Sequence, residues 1–251
     1  LFRSETELPA GVRLATAKRG GVTVTRVEIA REGLARPRGR YVTLEMPSVS
    51  VLDERDTDVI ETGAAELRAL LPPEGPVLVL GIGNRRVTAD ALGPRTAQKI
   101  LVTMGPQHTL PVRGIRPVAA LAPGVSGDTG LTLRQLAAAM VDAVRPAALI
   151  CVDSLCSAEA ARLGRTIQFS DTGLHPADAR HARHLDAAAL GVPVIAAGIP
   201  TLMDADEGAD LVLTPRALDS VIAHGSALLA GILNRALQPR LSVAQLCWLT
   251  G

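Results

Sequence analysis

The stretch PVLVLGIG, Pro76–Gly83, decides the fold class. Its apolar residues follow one another without polar alternation, so a strand built from them has to be covered on both faces. Such strands belong to parallel sheets with helices packed on either side. The pattern recurs downstream in IRPVAALAPG (Ile115–Gly124), AALICVDS (Ala147–Ser154) and PVIAAGIPT (Pro193–Thr201). Helical segments are predicted between these runs, near Ala91–Met104 and over Thr132–Val144, with a long amphipathic helix at Pro215–Leu237. Strands alternating with helices predict an α/β fold with a mostly parallel sheet. RTIQFSD (Arg165–Asp171) alternates and reads as an edge strand, and ADLVLTP as a short extension.

The N-terminal part has a different texture. GGVTVTRVEIA (Gly20–Ala30) and RYVTLEM (Arg40–Met46) alternate as half-buried strands do, and the loop GLARPRG joins them as a hairpin. Asp53–Leu71 opens with acids, continues at helical spacing and stops at Pro72-Pro73. The expected organisation is a β-rich segment over 1–52 packed on an α/β domain over 53–251.

Composition excludes several function classes. The 251 residues are 47% hydrophobic, enough for a substantial core, and contain two Phe, one Tyr and one Trp. The net charge of +1 offers no broad basic face, and so few aromatics make no stacking platform, so direct nucleic-acid binding is not expected. No apolar run reads as a membrane span of roughly 20 residues, and no signal peptide is visible. Cys151, Cys156 and Cys247 are odd in number and lack CxxC spacing, which excludes a disulfide scaffold or zinc ribbon and reads as small buried hydrophobes in the cytoplasm.

In an open parallel sheet, functional loops gather at the carboxyl ends of the strands. The first apolar strand delivers Gly83, Asn84, Thr88 and Asp90, the next Asp128, and the third Asp153. TIQFSD delivers Asp171 and His175, and PVIAAGIP delivers Thr201 and Asp204. Gly81-Ile82-Gly83 is not a dinucleotide fingerprint, because position 86 is Arg, and no GKS or GKT marks a phosphate loop, so no cofactor is expected. Gly83 and Asn84 suit a sharp turn and a close backbone approach. Asp90 reads equally as a helix N-cap or as a catalytic acid. Asp153 emerges from an apolar wall, where burial prepares a carboxyl for proton transfer, or else caps a loop. His181 and His184 read as solvated, and a Cys156–His175 nucleophile pair has no local support. Asp-Thr-Gly occurs twice, at Asp128 and Asp171, as in the pepsin-like proteases; those folds are all-β, so this α/β chain cannot carry that site.

Several phrases nevertheless stand together in a recognisable order: GIGNRRVTADALGP, LAPGVSGDTGLTL, ICVDSLCS, TIQFSDTGLHP and LGVPVIAAGIPTLMDA, preceded by VTVTRVEI and GRYVTLEMPSV. In this order and spacing the chain resembles the bacterial spore germination proteases. The resemblance implies an endopeptidase that degrades small acid-soluble spore proteins in the spore core. It also implies a self-processing zymogen and a homo-oligomer, a tetramer. The fold implied is a three-layer α/β/α unit related to the hydrogenase maturation endopeptidases. It carries the catalytic role to Asp90 and Asp153 as a water-activating pair, with Gly83, Asn84, Asp171 and His175 in support or binding substrate. The alternatives are a metal-dependent hydrolase with Asp90, Asp153 and His175 as ligands, or a non-catalytic protein that binds spore proteins. Against the family pattern, Asp128 replaces a Gln and the segment Ala177–Asp186 differs. Thr6-Glu7-Leu8 resembles a self-processing site, at Glu7.

Overall fold

A computed structural model describes residues 8–105, 113–175, 184–204 and 212–250. Glu7, His181 and most of the divergent 177–186 segment lie outside these. Nine strands among the described residues form one sheet: β1 (Val12–Arg19), β2 (Val22–Ile29), β3 (Gly39–Glu45), β4 (Val77–Gly81), β5 (Val118–Leu121), β6 (Ala148–Cys156), β7 (Thr166–Ser170), β8 (Val194–Asp204) and β9 (Val212–Leu213). The helices are α1 (Thr57–Leu70), α2 (Leu92–Ala97), α3 (Ser126–Thr129), α4 (Leu133–Val144), α5 (Ala187–Leu190), α6 (Leu218–Leu237) and α7 (Val243–Thr250).

The strand order is β1-β2-β3-β7-β8-β6-β4-β5, with β9 beside β8. β8, β6, β4 and β5 run parallel, whereas β1, β2, β3 and β7 pair antiparallel and continue the same sheet through β7–β8. The sheet is therefore mixed, a parallel centre with an antiparallel wing. In β4, Val77 and Val79 pack into the larger core with α1 and α6, while Leu78 and Leu80 face α4 in a second core. All four are fully buried, which explains the unbroken apolar run. Each such side chain contributes about 1.5–3 kcal/mol relative to exposure.

β7 is not an edge. It pairs with β3 on one side and β8 on the other. Its alternation has another cause: Ile167 and Phe169 are buried in the larger core, while Gln168 and Ser170 line an open groove on the opposite face. Among the described residues the wing has a helical layer on one face only, and one-sided cover gives the same sequence signature as an edge.

Other boundaries follow local chemistry. α2 stops at Ala97, short of the expected Met104, because Asn234 of α6 donates to Lys99 O (2.9 Å) and accepts from Leu101 N (2.9 Å). Thr103 and Met104 then donate to Val118 O beside β5. α4 begins where expected, with Thr132 and Gln135 forming a reciprocal capping box. α6 has the length and composition of a membrane span, yet two thirds of it is buried, and it packs against α1 and α2 as the central core helix. Of the three cysteines only Cys151 is fully buried; Cys156 is exposed.

An ion pair ties the wing to α1, beside a hydrogen bond from Arg40 Nη1 to Ala69 O (2.8 Å). Arg26 on β2 donates through Nε to Glu66 Oε2 (2.6 Å) and through Nη2 to Glu66 Oε1. Glu66 is buried, and its carboxylate holds the Arg26 guanidinium more firmly protonated than usual. Glu66→Gln is expected to lower unfolding free energy by about 2 kcal/mol, less than for a fully buried pair because Arg26 is partly exposed. Urea denaturation checks this, and an unchanged midpoint would contradict it.

Candidate active site

Sheet topology selects one location. From β4 the chain crosses through α2 to β5, then returns through α4 to β6 on the other side of β4. α2 and α4 cover opposite faces, so the connections diverge at the carboxyl ends of β4 and β6. Such a switch point opens a crevice in α/β sheets.

Local packing shapes that crevice. α2 lies so close to β4 that a Cβ on Gly81 would sit 2.2 Å from Gly93 O. A Cβ on Gly93 would sit 2.2 Å from Ile82 O and 2.3 Å from Val152 O. Backbone rests on backbone, and the segment entering α2 is drawn over the strand ends. Gly83 then turns with φ +122°, a region side chains avoid, and a Cβ there would lie 2.1 Å from Asp90 O and 2.9 Å from Asp90 Oδ1.

Asp90 ends a 3-10 turn, Thr88–Asp90, and does not cap α2; the N-cap is Ala91, which makes no side-chain cap bond. Its carboxylate instead accepts from Asn84 N at 2.7 Å. Asn84 also shapes the loop, its Oδ1 accepting from Arg86 N (3.0 Å). Thr201, buried on β8, donates to Ala89 O (3.0 Å) and pins the turn from behind. Asp153 is half-buried one residue beyond the Gly81–Val152 pair, level with Ile82, and its Oδ1 accepts from Ser154 N (2.8 Å). Asp90 thus sits in the turn that follows β4, and Asp153 on the neighbouring strand β6. Both line one cleft of about 130 Å³, walled by Ile82, Val125, Leu133 and Leu174. Two half-buried carboxylates with apolar walls suit proton transfer to and from a bound water or carbonyl. A larger hollow of about 690 Å³, between the wing and α1, contains neither acid.

The other acids and bases lie elsewhere. Asp128 on α3 pairs with Arg86 at 3.3 Å near the surface. Asp171 joins β7 to β3, accepting from Arg40 N and Nε, both at 2.7 Å. Their strands, β5 and β7, stand four positions apart in the sheet, roughly 19 Å, so the two Asp-Thr-Gly aspartates form no pair. His175 faces the groove beside β7 and not the acid cleft. Cys156 has Asp204 as its neighbour (3.8 Å), and partial burial together with that carboxylate pushes its thiol pKa up, away from a nucleophilic thiolate. Sequence placed Thr201 among the residues delivered by its strand, but its role as the anchor of the Asp90 turn, and the wall residues Val125, Leu133 and Leu174, were not singled out.

The profile of the germination protease family matches residues 3–207. The chain belongs to the germination protease family. It is 32% identical to the germination protease of Clostridium perfringens (strain SM101), over 88% of this chain and 86% of that one. The Caldanaerobacter subterraneus germination protease is 40% identical over 80% of this chain and 65% of its own, and that of Priestia megaterium 35% over 85% and 60%. A NiFe hydrogenase maturation protease from Thermococcus kodakarensis superposes with a TM-score of 0.45 at 18% identity, covering 68% of this chain and 98% of that one. This germination protease family member is thus a protease by family.

Gly83→Ala is expected to push the Asp90 turn away from the strand ends. Strain of this kind costs about 1–3 kcal/mol, measurable by denaturation, and the Asn84 amide should lose hydrogen-exchange protection. Wild-type stability with full protection would contradict the close-approach account.

Proposed function

We propose that this chain is an endopeptidase that degrades small acid-soluble spore proteins at germination, with Asp90 and Asp153 activating the attacking water as a pair. The observation that carries the reading is the convergence of these two acids in one switch-point cleft in a chain of the germination protease family.

Two carboxylates that converge on one small cleft do not both ionise cheaply, so they share a proton. The ionised member takes a proton from water, which attacks the scissile carbonyl. The protonated member donates to the developing oxyanion, and the proton gained from water later passes to the leaving nitrogen. The pair titrates as a unit, so the two roles belong to the dyad and not to fixed residues. Gly83 and Asn84 hold the Asp90 turn. Paired-acid chemistry is favoured over a metal held by Asp90, Asp153 and His175 because His175 opens to the adjacent groove, where Thr172 O and His184 engage its ring. The same reading includes a location in the spore core, synthesis as a zymogen processed near Glu7, and assembly as a tetramer.

Purified protein with Asp90→Asn or Asp153→Asn tests the proposal directly. Each single change should lower cleavage of a small acid-soluble spore protein by about 10²–10⁴-fold, with the fold retained by circular dichroism. Either variant cutting at the wild-type rate would sink the pair. Metal bound by wild type and lost in Asp153→Asn would replace it with a metal-assisted route.

A further inference from the structure

Three metal-ligating side chains stand together outside the acid cleft, at the neck of the segment 176–183. Leu174 and Leu185 form an antiparallel bridge, with Leu174 N donating to Leu185 O (2.8 Å) and Leu185 N to Leu174 O (3.1 Å). That pairing sets His175 opposite His184 and Gly173 opposite Asp186. Leu174 and Leu185 are buried in the second core, so the residues flanking them, His175, His184 and Asp186, share the other face of the ladder. Gly173 adds nothing to that face, and a Cβ there would lie 2.8 Å from Asp186 Cα.

The side chains follow this backbone geometry. The Nδ1 atoms of His175 and His184 are 3.0 Å apart, with the rings 5.0 Å between centroids. His175 Nε2 lies 2.8 Å from Thr172 O. A carbonyl only accepts, so Nε2 carries the proton and Nδ1 presents its lone pair toward His184. A backbone carbonyl fixing the tautomer in this way is the usual outer partner of a metal-ligating histidine. One ligand atom from each of His175, His184 and Asp186 lies within 4.8 Å of the others. Asp186 Oδ1 also accepts from Ala189 N (2.8 Å), which orients the carboxylate at the start of α5.

We propose that His175, His184 and Asp186 form a binding site for a zinc-class divalent metal that staples the neck of the 176–183 segment. Two imidazoles and one carboxylate favour zinc, nickel or copper over magnesium or calcium, and leave a fourth position for water. With metal–nitrogen bonds of about 2.0–2.1 Å, the observed cluster closes on an ion through small side-chain adjustments. Leu174 joins His175 to the wall of the acid cleft, so the metal would anchor that wall without touching Asp90 or Asp153. The site does not depend on the proteolytic reading.

Cobalt titration of the full, metal-free chain tests this, because four-coordinate Co²⁺ shows intense visible bands. One equivalent should bind and be displaced by Zn²⁺. His184→Ala, at an exposed position, should weaken binding at least about 100-fold, the upper range for disturbing even an outer partner, while the urea midpoint without metal stays unchanged. Asp186→Asn, which keeps an oxygen for Ala189 N, should also weaken binding, and Asp153→Asn should not. The absence of four-coordinate bands at stoichiometric cobalt would overturn the proposal and leave a His184-to-His175 hydrogen bond as the cause of the 3.0 Å approach. Binding that survives His184→Ala, or that disappears in Asp153→Asn, would overturn it equally.

Discussion

The contact between Gly81 and Gly93 governs the arrangement of this protein's candidate catalytic centre. Neither position has room for a side chain, so α2 settles directly on the carboxyl end of β4. With α2 so placed, the 84–90 loop folds back over Gly83, where a Cβ would lie 2.1 Å from Asp90 O. Asp90 consequently leaves the capping position that its place before a helix suggests, and its carboxylate accepts from Asn84 N. The β4–β6 pairing places Asp153 level with Ile82, and both acids line one cleft. The two acids share that cleft because backbone packs on backbone, with Thr201 holding the turn from β8.

The antiparallel wing serves a different purpose. It extends the sheet through β7 and is fastened to α1 by Arg26–Glu66 and to β7 by Arg40–Asp171. Polar side chains on its uncovered face, such as Gln168 and Ser170, form the groove that His175 faces. The candidate acids are therefore separated by element: Asp90, in the turn that follows β4, and Asp153, on β6, line the cleft, whereas Asp171, just after β7, secures a seam.

The parallel centre was legible in sequence because strands buried on two faces leave no alternation; Val77 to Leu80 could be little else. The wing was half legible. β2 and β3 alternate because each has one covered face, but β1 was missed, since most of its residues are exposed and none is fully buried. α7 was missed as well, although Ser242 and Gln245 cap it reciprocally, because eight residues carry too little periodicity. For the site, strand-end position pointed to Asp90 and Asp153. It could not tell them from Asp171, because the Arg40 partner lies 131 positions away and only the β3–β7 register brings the two together. Likewise the His175–His184 proximity depends on a bridge across a segment whose own sequence reads as solvated.

The central claim is that Asp90 and Asp153 act as one unit on one water. The most direct test is a double-mutant cycle on kcat with a small acid-soluble spore protein as substrate, comparing Asp90→Asn, Asp153→Asn and the double variant. Groups that share a proton lose their function together, so the double variant should be no slower than the worse single one. Losses that multiply would mean two acids working independently and would contradict the pair.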